Sequence, residues 1–388
     1  MLSKPQPSLP QLFISFLRLG ITAFGGPSMV AYIRRMAVER KQWLDEETFQ
    51  NGVGLCQTIP GATAMQVAAY VGFRARGTIG AGVSFIGFGL PAFLLMLTLS
   101  ALYTYSHALP AVVSAFSGLQ AIIVAIVANA TVSFGRTSLK TWKRVIIAGV
   151  AAALFGLGVN PIVVILLAAF VGLVLVENKS QSTRSSVDPN TTDHSARPLL
   201  FLLTAAVIWF LLLFLLQPTL FDLAALMFRI DLFAFGGGFA SVPLMYHEIV
   251  EVRQWMDGPT FLNGIVLGQV TPGPIVITAT FAGYWMYRLL GGLVATVSVF
   301  LPSFIMVVGL VPYFDKLRTS PYFNKVIGGI LCSFVGLLLT VTFRFAGNVQ
   351  WDIRRLILAG AAFVALLLKV DILWVVVIGT IISVLALR

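Results

Sequence analysis

The chain alternates between long apolar runs and short polar breaks from end to end. Runs of about 17 to 25 apolar residues are the length that crosses a bilayer as a helix. In the first half they lie near 11–33, 51–73, 79–104, 110–134, 145–158 and 161–176. Asn160-Pro161, between the last two short runs, reads as a tight turn joining paired helices. Residues 177–198 are rich in Ser, Thr and Asn with almost nothing to bury, so they read as a solvated linker. Leu199 to Leu216 is a clean apolar run with no equivalent before it. Segments near 219–245, 261–286, 290–313, 325–346, 355–369 and 371–387 then match the first six in order. The pattern predicts an all-α polytopic membrane protein with about thirteen transmembrane helices. Its divisions are an N-terminal repeat over 1–176, the linker 177–198, an extra helix over 199–216 and a C-terminal repeat over 217–388.

The halves share motifs as well as hydropathy. Leu17-Arg18-Leu19-Gly20-Ile21-Thr22-Ala23-Phe24-Gly25-Gly26 recurs about 211 residues later as Phe228-Arg229-Ile230-Asp231-Leu232-Phe233-Ala234-Phe235-Gly236-Gly237. Each copy reaches a Gln-Trp pair, Gln42-Trp43 and Gln254-Trp255. Each then reaches a Gln-x-x-Pro-Gly, Gln57 to Gly61 and Gln269 to Gly273. Six crossings return a chain to its starting side, so the extra helix inverts the second copy. Inverted repeats with interrupted helices place a transporter's site between them, near the bilayer midplane. Among first-half loops, ten Lys and Arg fall on the N-terminal side, against Arg34, Arg35, Arg40 and Lys41 on the other, which favours a cytoplasmic N-terminus. The second half splits evenly.

Composition agrees with the class. The chain is 58% hydrophobic and 11% charged, against roughly 25% charged in soluble domains. No cleavable signal peptide is expected, because the first apolar run lacks a small-residue cleavage site. The net charge of +11 lies in short loops, so nucleic acid is excluded as a partner for want of a clustered basic face. Cys56 and Cys332 both sit in apolar segments, and His107, His194 and His247 have no companions at ligand spacing. No metal and no cofactor is expected.

The chemistry gathers at the breaks. Gly25, Gly26 and Pro27, and Gly236, Gly237 and Gly238, weaken a helix inside apolar segments. Half-helices restarting there would turn free N–H groups and a positive dipole end inward, which suits an anion. Close helix packing is the plainer account of such glycines. Pro60-Gly61 and Pro272-Gly273 interrupt the second segment of each half. Gln57 and Gln269 supply amide donors beside them, and Thr58, Thr63, Thr271, Thr278 and Thr280 supply hydroxyls. Bonding between helices is the competing use of those groups. Arg18 and Arg229 lie on matching faces, where an Arg costs at least about 2.5–3.5 kcal/mol to insert. Its fork of donors fits a tetrahedral oxyanion, although Arg18 is near enough to its segment start to snorkel. No Asp or Glu occurs between Glu47 and Glu177, which argues against a cation pathway there. Asp231, at the position of Gly20, is either a coupling carboxylate or the counter-ion of an Arg, and the second is favoured. Trp43 and Trp255 read as interfacial anchors.

At these residues the chain resembles the chromate ion transporter family in its long, two-domain bacterial form. The resemblance is carried by Phe24 to Pro27, Gln57 to Gly61, Phe235 to Gly238 and Gln269 to Gly273, in order and in both halves. It implies two homologous domains of opposite orientation and chromate export driven by the membrane potential or a proton gradient, giving chromate resistance. The expected protein is then a multi-pass secondary transporter of the bacterial inner membrane, with the lipid bilayer and chromate as its partners. Sulfate uptake or exchange is the alternative, since that ion has the same shape and charge. Homo-oligomerisation is left open. An enzyme is disfavoured, as no HExxH, paired carboxylates or nucleophile–base set occurs.

Overall fold

The computed structural model describes residues 6–24, 28–107, 109–175, 197–311 and 320–386. Among these there are fifteen α-helices and no strand. They are α1 Leu9–Thr22, α2 Ser28–Arg34, α3 Glu46–Thr58, α4 Thr63–Ser106, α5 Pro110–Ser138, α6 Trp142–Gly156, α7 Pro161–Leu175 and α8 Arg197–Leu216. The second half has α9 Pro218–Leu232, α10 Ser241–Tyr246, α11 Gly258–Val270, α12 Thr278–Leu310, α13 Pro321–Asn348, α14 Ile353–Leu367 and α15 Ile372–Ala386. Five of these, α4, α5, α8, α12 and α13, are long and apolar enough to cross a membrane. Most of the linker, 177–196, lies outside the described residues.

Four predicted crossings prove to be hairpins that turn back at the breaks. Gly52 of α3 lies against the Tyr70 ring of α4, and Tyr70 Oη donates to the Thr48 carbonyl at 3.1 Å. These residues are about equally far from Pro60-Gly61, so α3 and the start of α4 are antiparallel. Gly264 meets Phe281 in the same way across Pro272-Gly273. The first segment also returns to its starting end. Arg34, at the end of α2, bonds Glu46 at 2.8 Å, and the α3–α4 hairpin opens beside Pro7, whose carbonyl accepts from Arg76 Nε at 2.6 Å. The Arg34 hydrogen bond holds the exposed Glu46 carboxylate below its ordinary range. Hydropathy cannot distinguish a straight span from a folded-back pair of half-spans, which is why counting runs yields thirteen. Replacing two crossings by two hairpins leaves the parity unchanged, so the second half is still inverted.

α4 itself reverses. Arg76 and Gly77 leave the helix with φ −149° and +63°, and Tyr287 and Arg288 of α12 repeat this at −133° and +55°. Eight residues of straight helix span about 12 Å, yet a Cβ on Gly72 would sit on the Gly80 carbonyl, and one on Gly283 on the Gly291 carbonyl. Each long helix is therefore a short arm and a long arm packed backbone to backbone. At the far end of the long arm of α4, Tyr103 packs on Phe281 and Trp285, with ring centroids 5.4 and 6.1 Å away. Asn263 Nδ2 donates to its hydroxyl at 2.8 Å. The α3–α4 and α11–α12 hairpins thus open at opposite ends of this arm.

The match extends to loop detail. Gln42 and Gln254 take φ +52° and +51°. Trp43 and Trp255 amides reach back to Ala37 and Ile249 carbonyls, both at 2.8 Å. Asp45 and Asp257 then cap α3 and α11 through Thr48 and Thr260 amides, both at 2.7 Å. The Gln-Trp motif ends one helix and starts the next.

The halves are also interwoven. α13 packs on α6 and α7 of the first half, and α5 packs on α14 and α15 of the second. α1 and α9 lie on α4 and α12, which pack on each other. Small residues allow this: Gly329 backs onto Ala168 and Gly172, and Gly336 onto Ala148. A methyl group at Gly72 would strike the Gly80 carbonyl and Ser84 Oγ, and one at Gly283 the Gly291 carbonyl and Ala295 Cβ. Gly72→Ala and Gly283→Ala should each cost about 1–3 kcal/mol, read as a lowered thermal midpoint in detergent, whereas Gly149→Ala, which meets nothing within 4 Å, should leave the midpoint unchanged.

Candidate functional site

The hairpin tips meet at the centre and bond across the halves. The Gly61 amide donates to the Ala234 carbonyl at 2.9 Å, and the Gly273 amide to the Ala23 carbonyl at 3.2 Å. Each Pro-Gly tip is therefore tied to the residue that precedes the other half's Phe-Gly-Gly. Gly61 and Gly273 take φ +115° and +122°, and Gly236 and Gly237 take +96° and +89°, a region that L side chains avoid. Gly237 faces Thr63 Oγ1, 3.1 Å from where its Cβ would be, and Gly238 faces Ile275 Cγ2 at the same distance. Gly25, Gly26 and Pro27 lie outside the described residues.

Helix ends surround this junction. α3 and α11, starting at the periphery, carry Asp caps. α4 and α12, restarting at the breaks, have no side-chain cap from their own N-cap residues, so the positive dipole ends of both point to the centre. Thr58 and Thr271 turn their hydroxyls back onto Leu55 and Gly268 carbonyls at 2.8 and 2.9 Å. Pro60 and Pro272 are buried. Gln57 is exposed, whereas Gln269 Nε2 is buried with no acceptor among the described residues.

Asp231 departs from expectation. It is not the counter-ion of Arg229, because positions two apart on a helix do not share a face. Arg229 pairs instead with the nearly buried Glu248 at 2.8 Å, and Glu248 also meets Arg253 at 3.6 Å. Asp231 is fully buried, and its Oδ2 accepts from the Ser303 hydroxyl at 2.6 Å and the Ser303 amide at 3.0 Å. Ser303 Oγ in turn accepts from the Ala62 amide at 3.0 Å, which couples the acid to the first-half break. Gln66, also fully buried, donates from Nε2 to the Pro60 carbonyl. Arg18 is exposed, away from any such network.

Sequence reasoning missed Glu248, Ser303 and Gln66. The signal lay in aligning the copies. Glu248 replaces Met36, Ser303 follows Pro302 where Ala92 follows Pro91, and Gln66 stands opposite Thr278.

Irregular backbone enclosed by protein, among long apolar helices, defines a polytopic membrane protein with broken helices at its centre. The sequence profile described as chromate transporter matches this chain twice, over residues 10–173 and 221–384, and the chain belongs to that family of transporters. It is 43% identical over 382 residues to an uncharacterized transporter of Methanocaldococcus jannaschii, covering 98% of this chain and 95% of that one. It is 30% identical to the chromate transport protein of Cupriavidus metallidurans, over 94% of this chain and 89% of the relative. A probable chromate transport protein of Synechococcus elongatus is 31% identical, over 86% and 84%. No solved structure matches the chain.

A Cβ on Gly61 would strike Ser303 Oγ and lie 2.7 Å from Gln66 Nε2, in a backbone region costing an L residue roughly 1–2 kcal/mol. Gly61→Ala should therefore lower the thermal midpoint more than Gly273→Ala, whose Cβ meets only the Ala92 methyl at 2.8 Å.

Proposed function

We propose that this protein is a secondary active carrier of chromate in the bacterial plasma membrane, working outward and so conferring chromate resistance. The observation that carries the reading is the buried, unfilled amide donor of Gln269 beside the junction of the breaks. A buried neutral donor without a protein acceptor has no internal bond to give up when an oxyanion accepts from it. Gln57 and the start of α4 supply further donors, and Thr58 and Thr271 would join them by turning their hydroxyls from the Leu55 and Gly268 carbonyls. Gly61, Gly236, Gly237, Gly238 and Gly273, with Pro60 and Pro272, hold the backbone open for close approach. Arg229 is held in an ion pair by Glu248, and Arg18 lies exposed, so the arginines act on the anion's approach and not as its direct partners.

The two repeats, 1–176 and 217–388, are joined by the linker and α8 and run in opposite directions. Folding back the first hairpin moves Arg34, Arg35, Arg40 and Lys41 to the N-terminal side, leaving no first-half loop Lys or Arg on the other. That supports a cytoplasmic N-terminus. Alternating access follows from two bodies that cut across the repeats. One is α1, α4, α9 and α12; the other is α5 to α7 with α13 to α15. A half moving as a unit would tear α13 from α6 and α7.

Everted vesicles should accumulate labelled chromate under an imposed gradient, with excess sulfate a weak competitor. Gln269→Leu should insert and unfold as the parent does, because removing an unpaired buried donor is close to neutral, while uptake falls at least tenfold. Equal flux of sulfate, or uptake without a gradient, would overturn the reading.

Cross-links test the moving bodies. Ser383 Oγ donates to the Ser114 carbonyl within one body at 2.5 Å, so a disulfide in Ser114→Cys/Ser383→Cys should leave transport intact. Gln120 Nε2 meets Asn263 Oδ1 at 2.9 Å, linking α5 to the α11 hairpin. Gln120→Cys/Asn263→Cys should stop transport when oxidised and recover it on reduction.

A further inference from the structure

We propose that Asp231, Gln66 and Ser303 form a binding site for one monovalent cation, a proton or a sodium ion, at the first-half break. Asp231 Oδ1 and Gln66 Oε1 are both buried without a partner among the described residues. Both are acceptors, so a further water-sized donor or a positive charge is what the cluster lacks. The remaining valences are committed. Ser303 Oγ accepts from the Ala62 amide and spends its proton on Asp231 Oδ2. Gln66 spends its amide hydrogens on the Pro60 side, which fixes its oxygen as the free end. All three side chains crowd the Gly61 tip: a Cβ there would strike Ser303 Oγ and lie 2.7 Å from Gln66 Nε2 and 3.1 Å from Asp231 Oδ2.

The protein supplies no cation of its own. The short arm of α4 from Thr63 to Phe73, the long arm of α12 from Leu289 to Leu310, and α8 beyond Arg197 contain no Lys, Arg or His. On α9, Arg229 is taken by Glu248, which also holds Arg253. An isolated buried carboxylate is strongly disfavoured, so Asp231 must recruit its charge from outside. The duplicated scaffold shows that the cluster is added chemistry. At the equivalent positions stand Gly20, Ala92 and Thr278, and the Thr278 hydroxyl is satisfied by the Ile275 carbonyl at 2.8 Å. The scaffold therefore closes without an acid at this place.

The site rests on this geometry; its use as the coupling ion rests on the carrier reading above. The test is made on purified full-length protein with no oxyanion present, so either idea can fail without the other. The thermal midpoint is followed in sodium chloride against choline chloride at fixed pH, and infrared difference spectra are taken across a pH series. Asp231→Asn is the main variant, since it removes the charge while keeping the shape of the side chain. A sodium site shows as a rise in midpoint with sodium that Asp231→Asn lacks. A proton site shows as a carboxylic-acid band that is absent from Asp231→Asn and disappears as pH rises. Ser303→Ala, which keeps the acid, should weaken either response at least tenfold in concentration and serves if Asp231→Asn does not fold. The proposal is overturned by wild-type protein that ignores sodium and shows no titrating band of Asp231. It is equally overturned by an acid band that persists at every pH, or by Asp231→Asn responding as wild type does.

Discussion

A bilayer interior offers no water to an unpaired amide, and the rest of this fold follows from how its broken helices meet that constraint. A chain that interrupts a helix at membrane depth must cover the exposed backbone with protein. Here the cover for each break is the break of the other half. Gly61 donates to the Ala234 carbonyl and Gly273 to the Ala23 carbonyl, so neither half can satisfy its own tips alone. Gly at both donor positions follows, because φ near +120° is what turns the amide outward from the hairpin.

The same dependence explains the crossed packing of the outer helices. Once the tips of opposite halves are tied at the centre, the long helices α5 and α13 come to lie beside the other half's terminal pair. Gly172 with Gly329, and Gly336 with Ala148, bring backbones close where lipid cannot enter. In a membrane such contacts replace the hydrophobic drive that water would supply. The structural units are therefore two mixed bodies, although the genetic units are two repeats.

Much of this was legible in the chain. Apolar run length gives the helical membrane class, the unpaired run at 199–216 gives inversion, and the doubled Gly and Pro-Gly elements mark the junction. Hydropathy carries no sign of direction, so it read 11–33 and 51–73 as spans when each folds back on itself. The Gln-Trp pair was read as an anchor, but its visible work is local: a left-handed Gln and an Asp cap that start α3 and α11. The Arg229–Glu248 pair and the Asp231–Ser303 contact join residues that local pattern cannot connect. They become visible only as differences between copies, where Gly20, Met36 and Ala92 are replaced.

Those differences decide the energetics of the carrier. A dianion moving alone is driven out of an inside-negative cell by roughly 4.6 kcal/mol per 100 mV, twice the single-charge figure. One cation carried outward with it halves that drive, and an inward gradient of that cation would oppose the export. The Asp231 carboxylate would repel a dianion at the adjoining tips unless it were neutralised first, so cation and oxyanion reinforce each other's binding, and reciprocally so. The second-half break, where Ala92 faces Gly273 and Gly20 stands in place of the acid, provides no such coupling. Where one copy has Gly20 and Ala92 the other has Asp231 and Ser303, so the two sides of the junction differ in charge.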